Sequence, residues 1–199
     1  MKSVRVFMSL CAMLSVVSFA SCSDDDDQPM GIAIDAVYGK YSGTMEIEGL
    51  KASALTVNAT TGPAIEATVD KDKVSFADFP IKELVMGILG DESMADAIIA
   101  QVGEVSYDLA YTPTLNEQKD GIVLALNPQP LKLSIPTGEG ENVLAVNVMV
   151  KSNGNGSYQS GELKLSIIAE KVMLGEGEEA QEFPGFAPLT LTITMKQEK

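Results

Sequence analysis

Apolar and polar residues alternate along most of this chain. The alternation is clearest near the end, where Leu189, Leu191, Ile193 and Met195 are separated by threonines. Successive side chains of a strand point to opposite faces, so a period of two predicts a strand with one buried and one solvated side. Comparable runs begin near positions 44, 55, 65, 74, 105, 122, 131, 144 and 163. The pattern therefore predicts about nine or ten antiparallel strands.

A helical period replaces the alternation at about residues 80–102. From Ile81 to Leu89, apolar residues recur three and four positions apart, which is typical of an amphipathic helix, and Gly90 ends the run. The Ser93–Asp96 stretch is typical of a helix N-terminus, and a second apolar stripe follows at positions 94, 97, 98 and 102 before Gly103. We therefore expect two short helices inserted between strands.

Prolines and glycines set further boundaries. Pro113 is expected to end the strand that starts near Val105, the Asn127–Pro130 stretch separates two short strands, and Ser152–Gly156 predicts a turn. Many short strands at this spacing indicate a mostly β fold. The two candidate architectures are an antiparallel β-barrel of the calycin or lipocalin type and a β-sandwich, each with a two-helix insertion at about 80–102.

The first residues have the pattern of a secretory signal peptide. Lys2 and Arg5 precede an apolar run from Val6 to Phe19, which is shorter than the ~20 residues that a membrane-spanning helix needs. We therefore expect residues 1–21 to be a signal peptide.

A lipid-attachment motif follows this run. Phe19-Ala20-Ser21-Cys22 resembles the lipobox of bacterial lipoproteins, in which the cysteine thiol is acylated and becomes the first mature residue. The resemblance implies a lipid anchor on Cys22, and the two or three acyl chains of a lipoprotein make such an attachment effectively permanent.

An acidic run comes directly after the cysteine. Its residues are Ser23, Asp24, Asp25, Asp26 and Asp27. The run resembles the export signal that Bacteroidetes-type lipoproteins carry at this place, which implies an outer-membrane lipoprotein facing the cell exterior, with the periplasmic face as the alternative. We expect residues 22–36 to be a lipidated acidic tether and residues 37–199 to be a single β-domain with the helical insertion.

The residue types that the chain lacks narrow its chemistry. It contains no histidine and no tryptophan, and its two cysteines are Cys11 and Cys22. Without histidine, Ser-His-Asp and Cys-His catalysis and histidine-based metal sites are excluded. A carboxylate pair, a Ser-Lys dyad and a Tyr-based scheme are the remaining catalytic alternatives. We therefore expect a protein that is not an enzyme, with no catalytic residue, metal or cofactor.

The net charge excludes one class of partner. Removal of Lys2 and Arg5 with the signal peptide leaves 12 basic against 28 acidic residues, a net charge of about −16. A body this acidic repels the phosphates of nucleic acids and of anionic lipids. We exclude nucleic acid as a partner and expect the lipid anchor, rather than the body, to hold the chain at the membrane.

The body of the chain resembles uncharacterised single-domain β lipoproteins of gut Bacteroidetes, some of which are calycin-like barrels. The matching segments are Tyr38–Thr44 at the first strand, Phe79–Ile81 at the helix start, and the terminal strand. The resemblance covers roughly residues 37–197 and implies a fold and a cellular location. It assigns no catalytic residue, because fold analogy alone does not give function.

The candidate binding site is the mouth of the β-body beside the helices, because calycin-type barrels bind small apolar molecules inside. The candidate ligand-binding residues are Met86, Met94, Tyr107 and Tyr111. Further methionines that could line the same space are Met45, Met149, Met173 and Met195. The alternatives are that these side chains form the core, or that the tyrosines form a glycan-binding face. The sequence thus predicts binding of a small apolar ligand or of an envelope protein partner, with glycan binding as the alternative.

Overall fold

Within residues 31–49, 62–136 and 143–199, which this computed structural model describes, the alternating segments form β-strands and the 80–102 region forms two α-helices. The strands are β1 (Gly39–Glu48), β2 (Ala64–Val69), β3 (Lys73–Phe76), β4 (Tyr107–Leu115), β5 (Ile122–Pro128), β6 (Leu131–Pro136), β7 (Val143–Ser152), β8 (Gly156–Gln159), β9 (Glu162–Leu174), β10 (Gln181–Glu182) and β11 (Leu189–Gln197). The helices are α1 (Lys82–Leu89) and α2 (Glu92–Val102), with short 3-10 helices at Ile34–Val37 and Gly177–Glu179. The expected signal peptide, Cys22, the acidic run and the strand near position 55 lie outside the described residues.

The last strand closes the sheet into a barrel. Ile193 of β11 pairs with Met45 of β1 on one side and with Leu165 of β9 on the other. Around the ring, the antiparallel neighbours are β1, β2, β3, β4, β5, β8, β9 and β11. The prediction of a mostly β fold is confirmed, and of its two architectures the structure is the barrel, closed by eight antiparallel strands.

Two further strands continue the wall beside β9. β9 has 13 residues, so it pairs first with β8 and then, along the same edge, with β7. A β-bulge shifts the register of the β7–β9 pairing between Met149 and Val150. β6 pairs with β7. β5 ends at Pro128 and β6 begins at Leu131, so Gln129 and Pro130 separate these strands. The prediction was wrong for Asn127 and Pro128, which pair with Ala110 and Leu109 of β4.

The barrel interior is filled by apolar side chains. Met45, Leu109, Leu163 and Ile193, from four different strands, are each 0% exposed. A side chain without accessible surface borders no space that admits water, so the interior around these residues is packed to the density of a core. Burial of each such side chain stabilises the fold by about 1.5–3 kcal/mol.

The two ends of the barrel differ in what covers them. The N-terminal end is formed by the start of β1, the end of β11 and the turns Asp70–Asp72, Asn116–Gly121 and Ser160–Gly161. The opposite end, the helix end, carries α1 and α2, which are inserted between β3 and β4.

A short N-terminal segment packs against the N-terminal end. Val37 in the first 3-10 helix is 0% exposed, and its carbonyl accepts a hydrogen bond from the Tyr41 hydroxyl at 2.7 Å. Ile32 donates its backbone N–H to the carbonyl oxygen of Lys119 at 2.9 Å. Residues 31–36, which the sequence places in the tether, therefore contact the barrel.

The second helix begins before the predicted cap. The side chain of Asp91, rather than that of Ser93, accepts a hydrogen bond from the Met94 backbone N–H at 2.8 Å. Asp91 is the N-cap because its backbone is extended, whereas Ser93 already lies in the first turn of the helix. Of the predicted stripe, Ile98 and Val102 pack against the core, whereas Met94 and Ala97 are exposed and Ala95 is the fully buried residue of this helix, so the stripe was right only in part.

Two strand boundaries also differ from the prediction. β4 continues through Pro113, which pairs with Leu124 of β5, whereas β3 pairs with β4 only as far as Ala110. In the described chain no strand lies on the other edge of β4 at Pro113, so its missing N–H removes no ladder hydrogen bond. The expected turn Ser152–Gly156 is shorter than predicted, because Gly156 begins β8, a strand that the sequence analysis missed.

Candidate functional site

Tyr107 and Tyr111, two of the predicted ligand-binding residues, both point into the barrel from β4. Tyr107 is 5% exposed and donates its hydroxyl hydrogen to the carbonyl of Gln129 at 2.8 Å. Tyr111 is 4% exposed and donates to the carbonyl of Asp70. Burial raises the pKa of both hydroxyls above the ordinary range. Both rings pack in the core, and both hydroxyl groups already have a protein partner.

An aromatic cluster fills the barrel where the chain leaves β3 for the helices. The ring of Phe79 lies 5.2 Å from that of Tyr107 and 5.4 Å from that of Phe76, measured between centroids. Phe76 and Phe79 are buried almost completely. The rings occupy the part of the barrel in which the sequence analysis expected a ligand.

The two predicted methionines lie on the helices. Met86 is half-buried on α1 and packs against the core, while Met94 on α2 is 55% exposed to solvent. The structure brings Tyr107 and Tyr111 together on one strand face but does not gather all four predicted residues around one space. Their role in ligand binding stays a prediction.

The other predicted methionines separate into two groups. Met45 and Met195 are 0% exposed inside the barrel. Met149 on β7 and Met173 on β9 lie on the outer face, where they line a groove of about 330 Å³. We call it the methionine groove, and its lining residues are Pro130, Lys132, Asn147, Met149, Lys171, Met173, Gly177 and Ala180.

The strand register explains why the methionine groove forms. Asn147 pairs with Met173, and Met149 pairs with Lys171, so thioethers and polar side chains alternate across β7 and β9 on one face. Asn147 donates its side-chain amide to the carbonyl of Gly175 at 3.1 Å, which ties the loop after β9 to the rim.

The methionine groove combines an apolar lining with positive charge. The Lys171 ammonium lies 3.6 Å from the Glu182 carboxylate, and Lys132 on β6 forms no ion pair with any residue that the structure describes. In an acidic chain, this arrangement favours a binding partner that presents apolar groups beside a negative charge. Met149 and Met173 were predicted to line the interior of the barrel. Met149 lies between Val148 and Val150, which point inward, and this alternation is the feature of the sequence that indicates its position on the outer face.

A second depression, of about 600 Å³, lies at the N-terminal end along β8, β9 and the end of β11. Its residues are mostly polar: Ser157, Gln159, Ser160, Gly161, Glu162, Lys164, Lys196, Gln197, Glu198 and Lys199. The Glu162 carboxylate lies 2.8 Å from the Lys164 ammonium, whose hydrogen bond lowers the pKa of that carboxyl. The depression contains charges of both signs and is lined by no apolar side chain of the described residues, so it favours no small apolar ligand.

Charge is distributed unevenly between the two ends. The lysines at the N-terminal end are Lys40, Lys71, Lys73, Lys119, Lys164, Lys196 and Lys199. The acidic residues there are Asp35, Glu66, Asp70, Asp72, Asp108, Glu117, Asp120, Glu162 and Glu198. Seven lysines therefore offset most of the nine acidic residues at this end.

The helix end is strongly acidic. Its acidic residues in the helical insertion are Asp78, Glu83, Asp91, Glu92, Asp96 and Glu104. The only basic residue of that insertion is Lys82, whose ammonium lies 3.2 Å from Glu92 and 2.7 Å from Asp96 and so links α1 to α2.

Within the described ranges, no cluster of three or more metal-ligating side chains is present, and none of the helices is long and apolar enough to cross a membrane.

Comparison with known proteins identifies one family. No curated protein and no solved structure matches the chain. Residues 36–174 match the family described as a domain of unknown function, DUF4840, and this region extends from the first 3-10 helix to the end of β9. The match covers most of the chain, which therefore belongs to the DUF4840 family.

Proposed function

We propose that this chain is a non-enzymatic outer-membrane lipoprotein, anchored through Cys22, whose barrel binds an envelope protein through the methionine groove. The observation that carries the proposal is the contrast between the filled interior and this groove. Met45, Leu109 and Ile193 leave no accessible space around them inside the barrel, so recognition takes place on the outer surface.

The chemistry of the groove supports a protein segment as the occupant. Methionine side chains are flexible and polarizable, and they adapt to apolar side chains of different shape. Lys132, which forms no ion pair with any described residue, lies beside Met149 and Met173 and attracts a carboxylate, while Lys171 already contacts Glu182 at 3.6 Å. The partner segment therefore carries apolar residues next to Asp or Glu.

The two other functions receive less support from the geometry. A small apolar ligand inside the barrel would have to displace the buried rings of Tyr107 and Phe79, which lie 5.2 Å apart. A glycan-binding face built on Tyr107 and Tyr111 would need exposed rings, and both are almost fully buried.

Site-specific photo-crosslinking in the native cell tests the binding function. A photoreactive amino acid replaces Met149 or Met173 in the full chain, and the matched control replaces Thr192, which is on the outer face of β11. We expect a discrete protein adduct from positions 149 and 173 and not from 192. The double variant Lys132→Glu/Lys171→Glu should lower the yield of this adduct. Equal adducts from position 192, or a yield unchanged in the double variant, contradict the proposal.

The anchor has a separate test. Metabolic labelling with a fatty acid should mark the wild-type chain and not Cys22→Ala, because the acyl chains are attached to that thiol and to the amino group that cleavage exposes. Labelling that persists in Cys22→Ala contradicts the anchor.

Lipid extraction of the purified chain tests the alternative of a ligand carrier. Recovery of a bound apolar compound in the extract would favour a ligand carrier over a protein-binding domain.

A further inference from the structure

The chain enters the described domain at the N-terminal end of the barrel. Gly31 lies against Lys119, where an added Cβ would be 3.0 Å from the Lys119 carbonyl oxygen, and Ile32 donates its N–H to that oxygen at 2.9 Å. The first residue of the domain is therefore fixed on the β4–β5 turn.

The distance along the chain from this point to the proposed anchor is short. Nine residue steps separate Cys22 from Gly31, and an extended chain spans at most about 3.6 Å per residue, so the connection reaches at most about 30 Å. The strand β9 alone is roughly 40 Å long. The N-terminal end is thus the nearer end to the bilayer unless the connection is stretched alongside the barrel.

Charge favours the same orientation. At the N-terminal end, seven lysines offset most of the nine acidic residues, and Lys40, Lys71 and Lys196 form no ion pair with any described residue. At the helix end, the insertion between Asp78 and Glu104 is strongly acidic. A surface of anionic headgroups therefore repels the helix end, which has one lysine against six acidic residues, more strongly than the N-terminal end, whose lysines it attracts at about 1 kcal/mol each.

The rim of the N-terminal end also exposes an apolar side chain. Leu115, the last residue of β4, is 40% exposed and precedes the turn that holds Gly31. An exposed apolar residue beside a polar turn suits the boundary between headgroups and acyl chains.

We propose that the N-terminal end of the barrel rests on the anionic headgroups of the membrane, with Leu115 and the β4–β5 turn at the contact and the helix end pointing away. The proposal rests on the lipid anchor of the proposed function. It also leaves the methionine groove accessible, because β6, β7 and the second half of β9 lie toward the helix end.

Headgroup quenching in vesicles tests the orientation. Full chain carrying Leu115→Cys, Gln118→Cys or Met94→Cys is purified from envelopes, labelled with a fluorophore and reconstituted in phosphatidylglycerol/phosphatidylcholine vesicles with a spin-labelled headgroup. All three residues are exposed in the structure, and two positions at the same end guard against one unstable variant. We expect strong quenching at 115 and 118 and weak quenching at 94. Equal or reversed quenching overturns the proposal.

Matched charge variants test the electrostatic contribution. Lys71→Gln at the N-terminal end should lower the ratio of quenching at 118 to quenching at 94 by up to about fivefold, the factor that about 1 kcal/mol per lysine supplies. Lys132→Gln removes the same charge from the methionine groove and should leave the ratio unchanged. Equal effects of the two variants overturn the proposed contact.

Vesicle flotation separates failure of the orientation from failure of the anchor. Wild type should float with the vesicles, and Cys22→Ala should not. Loss of flotation in wild type overturns both the anchor and the orientation. Flotation with equal quenching at positions 118 and 94 overturns the orientation alone.

Discussion

The side chain of Gln197 joins the last strand to the N-terminal segment and accepts a hydrogen bond from Tyr158. The Tyr158 hydroxyl donates to the Gln197 Oε1 atom at 2.9 Å, and the Nε2 atom donates to the carbonyl oxygens of Tyr38 at 2.8 Å and Ala36 at 3.2 Å. One amide thus connects β11, β8 and the segment before β1, which are distant in sequence.

Replacement of Gln197 by Ala should therefore destabilise the whole barrel. The change leaves a partly buried tyrosine hydroxyl and two carbonyl oxygens without this partner, and an unsatisfied polar group costs about 1–3 kcal/mol. We expect a loss of that size in the free energy of unfolding, measured by urea denaturation of residues 31–199. Lys199→Ala, an exposed change two residues away, should have almost no effect. Equal losses in the two variants would show that the network around Gln197 contributes little.

Removal of β11 should prevent folding, although this strand lies beyond the region that matches the family. β11 pairs along its length with both β1 and β9, so a chain ending at Leu174 has two open edges and exposes the core side chains that β11 covers. We expect residues 31–174 to show no cooperative thermal transition by circular dichroism, while residues 31–199 show one. A cooperative transition in the shorter chain would mean that the wall can close without this strand.

Much of the fold was predictable because burial in a barrel follows the period of two. In β2, Ile65, Ala67 and Val69 are buried while the residues between them are exposed. In β11 the apolar residues are buried and the threonines between them are half-buried. The closure of the sheet was not predictable from this period. Closure requires β11 to pair with both β1 and β9. The period of two does not show this pairing, because the alternation within each strand is the same in a sandwich.

The candidate site was less predictable because the sequence does not show which residues share a surface. Tyr107 and Tyr111 were identified as a pair on one strand face, but the period could not tell the inner face from the outer one. Met149 and Met173 become neighbours through the β7–β9 pairing, whose register contains a bulge. The charge difference between the two ends was also hidden, because turns far apart in sequence meet at the N-terminal end.

Gly43 lies at a position where the barrel wall tolerates no side chain. An added Cβ would collide with the carbonyl oxygen of Thr194 and lie 2.6 Å from the Cα atom of Met195. We expect Gly43→Ala to lower the free energy of unfolding by about 3 kcal/mol, since backbone atoms paired on both sides cannot move away. Urea denaturation measures the change.

Gly154→Ala is the matched control for Gly43→Ala. Its added Cβ would meet nothing within 4 Å, but its φ of +84° strains any other residue, so we expect a loss of only about 1 kcal/mol. A loss at Gly154 equal to that at Gly43 would show that backbone conformation, rather than the close approach of β1 and β11, decides the outcome.

Tyr41, Tyr107 and Tyr111 make the barrel sensitive to alkali. Burial raises the pKa of each hydroxyl in the folded state, and the nearby Tyr158 raises the pKa of Tyr41 further. In the unfolded chain these groups ionise near the ordinary value of about 10. A folded-state pKa above the unfolded one gives stability that is fully present below about pH 10 and is lost as pH rises beyond it.

We therefore expect the urea midpoint of residues 31–199 to stay level up to about pH 10 and then to fall steeply as these hydroxyls ionise on unfolding. Tyrosinate absorbance, followed together with circular dichroism, should show Tyr41, Tyr107 and Tyr111 ionising as the secondary structure is lost. Tyr107→Phe removes one ionising group and should make the fall shallower, although it leaves the Gln129 carbonyl without its hydroxyl donor and lowers stability at neutral pH. Full tyrosinate absorbance with intact secondary structure would show that the interior admits hydroxide, which a packed barrel does not.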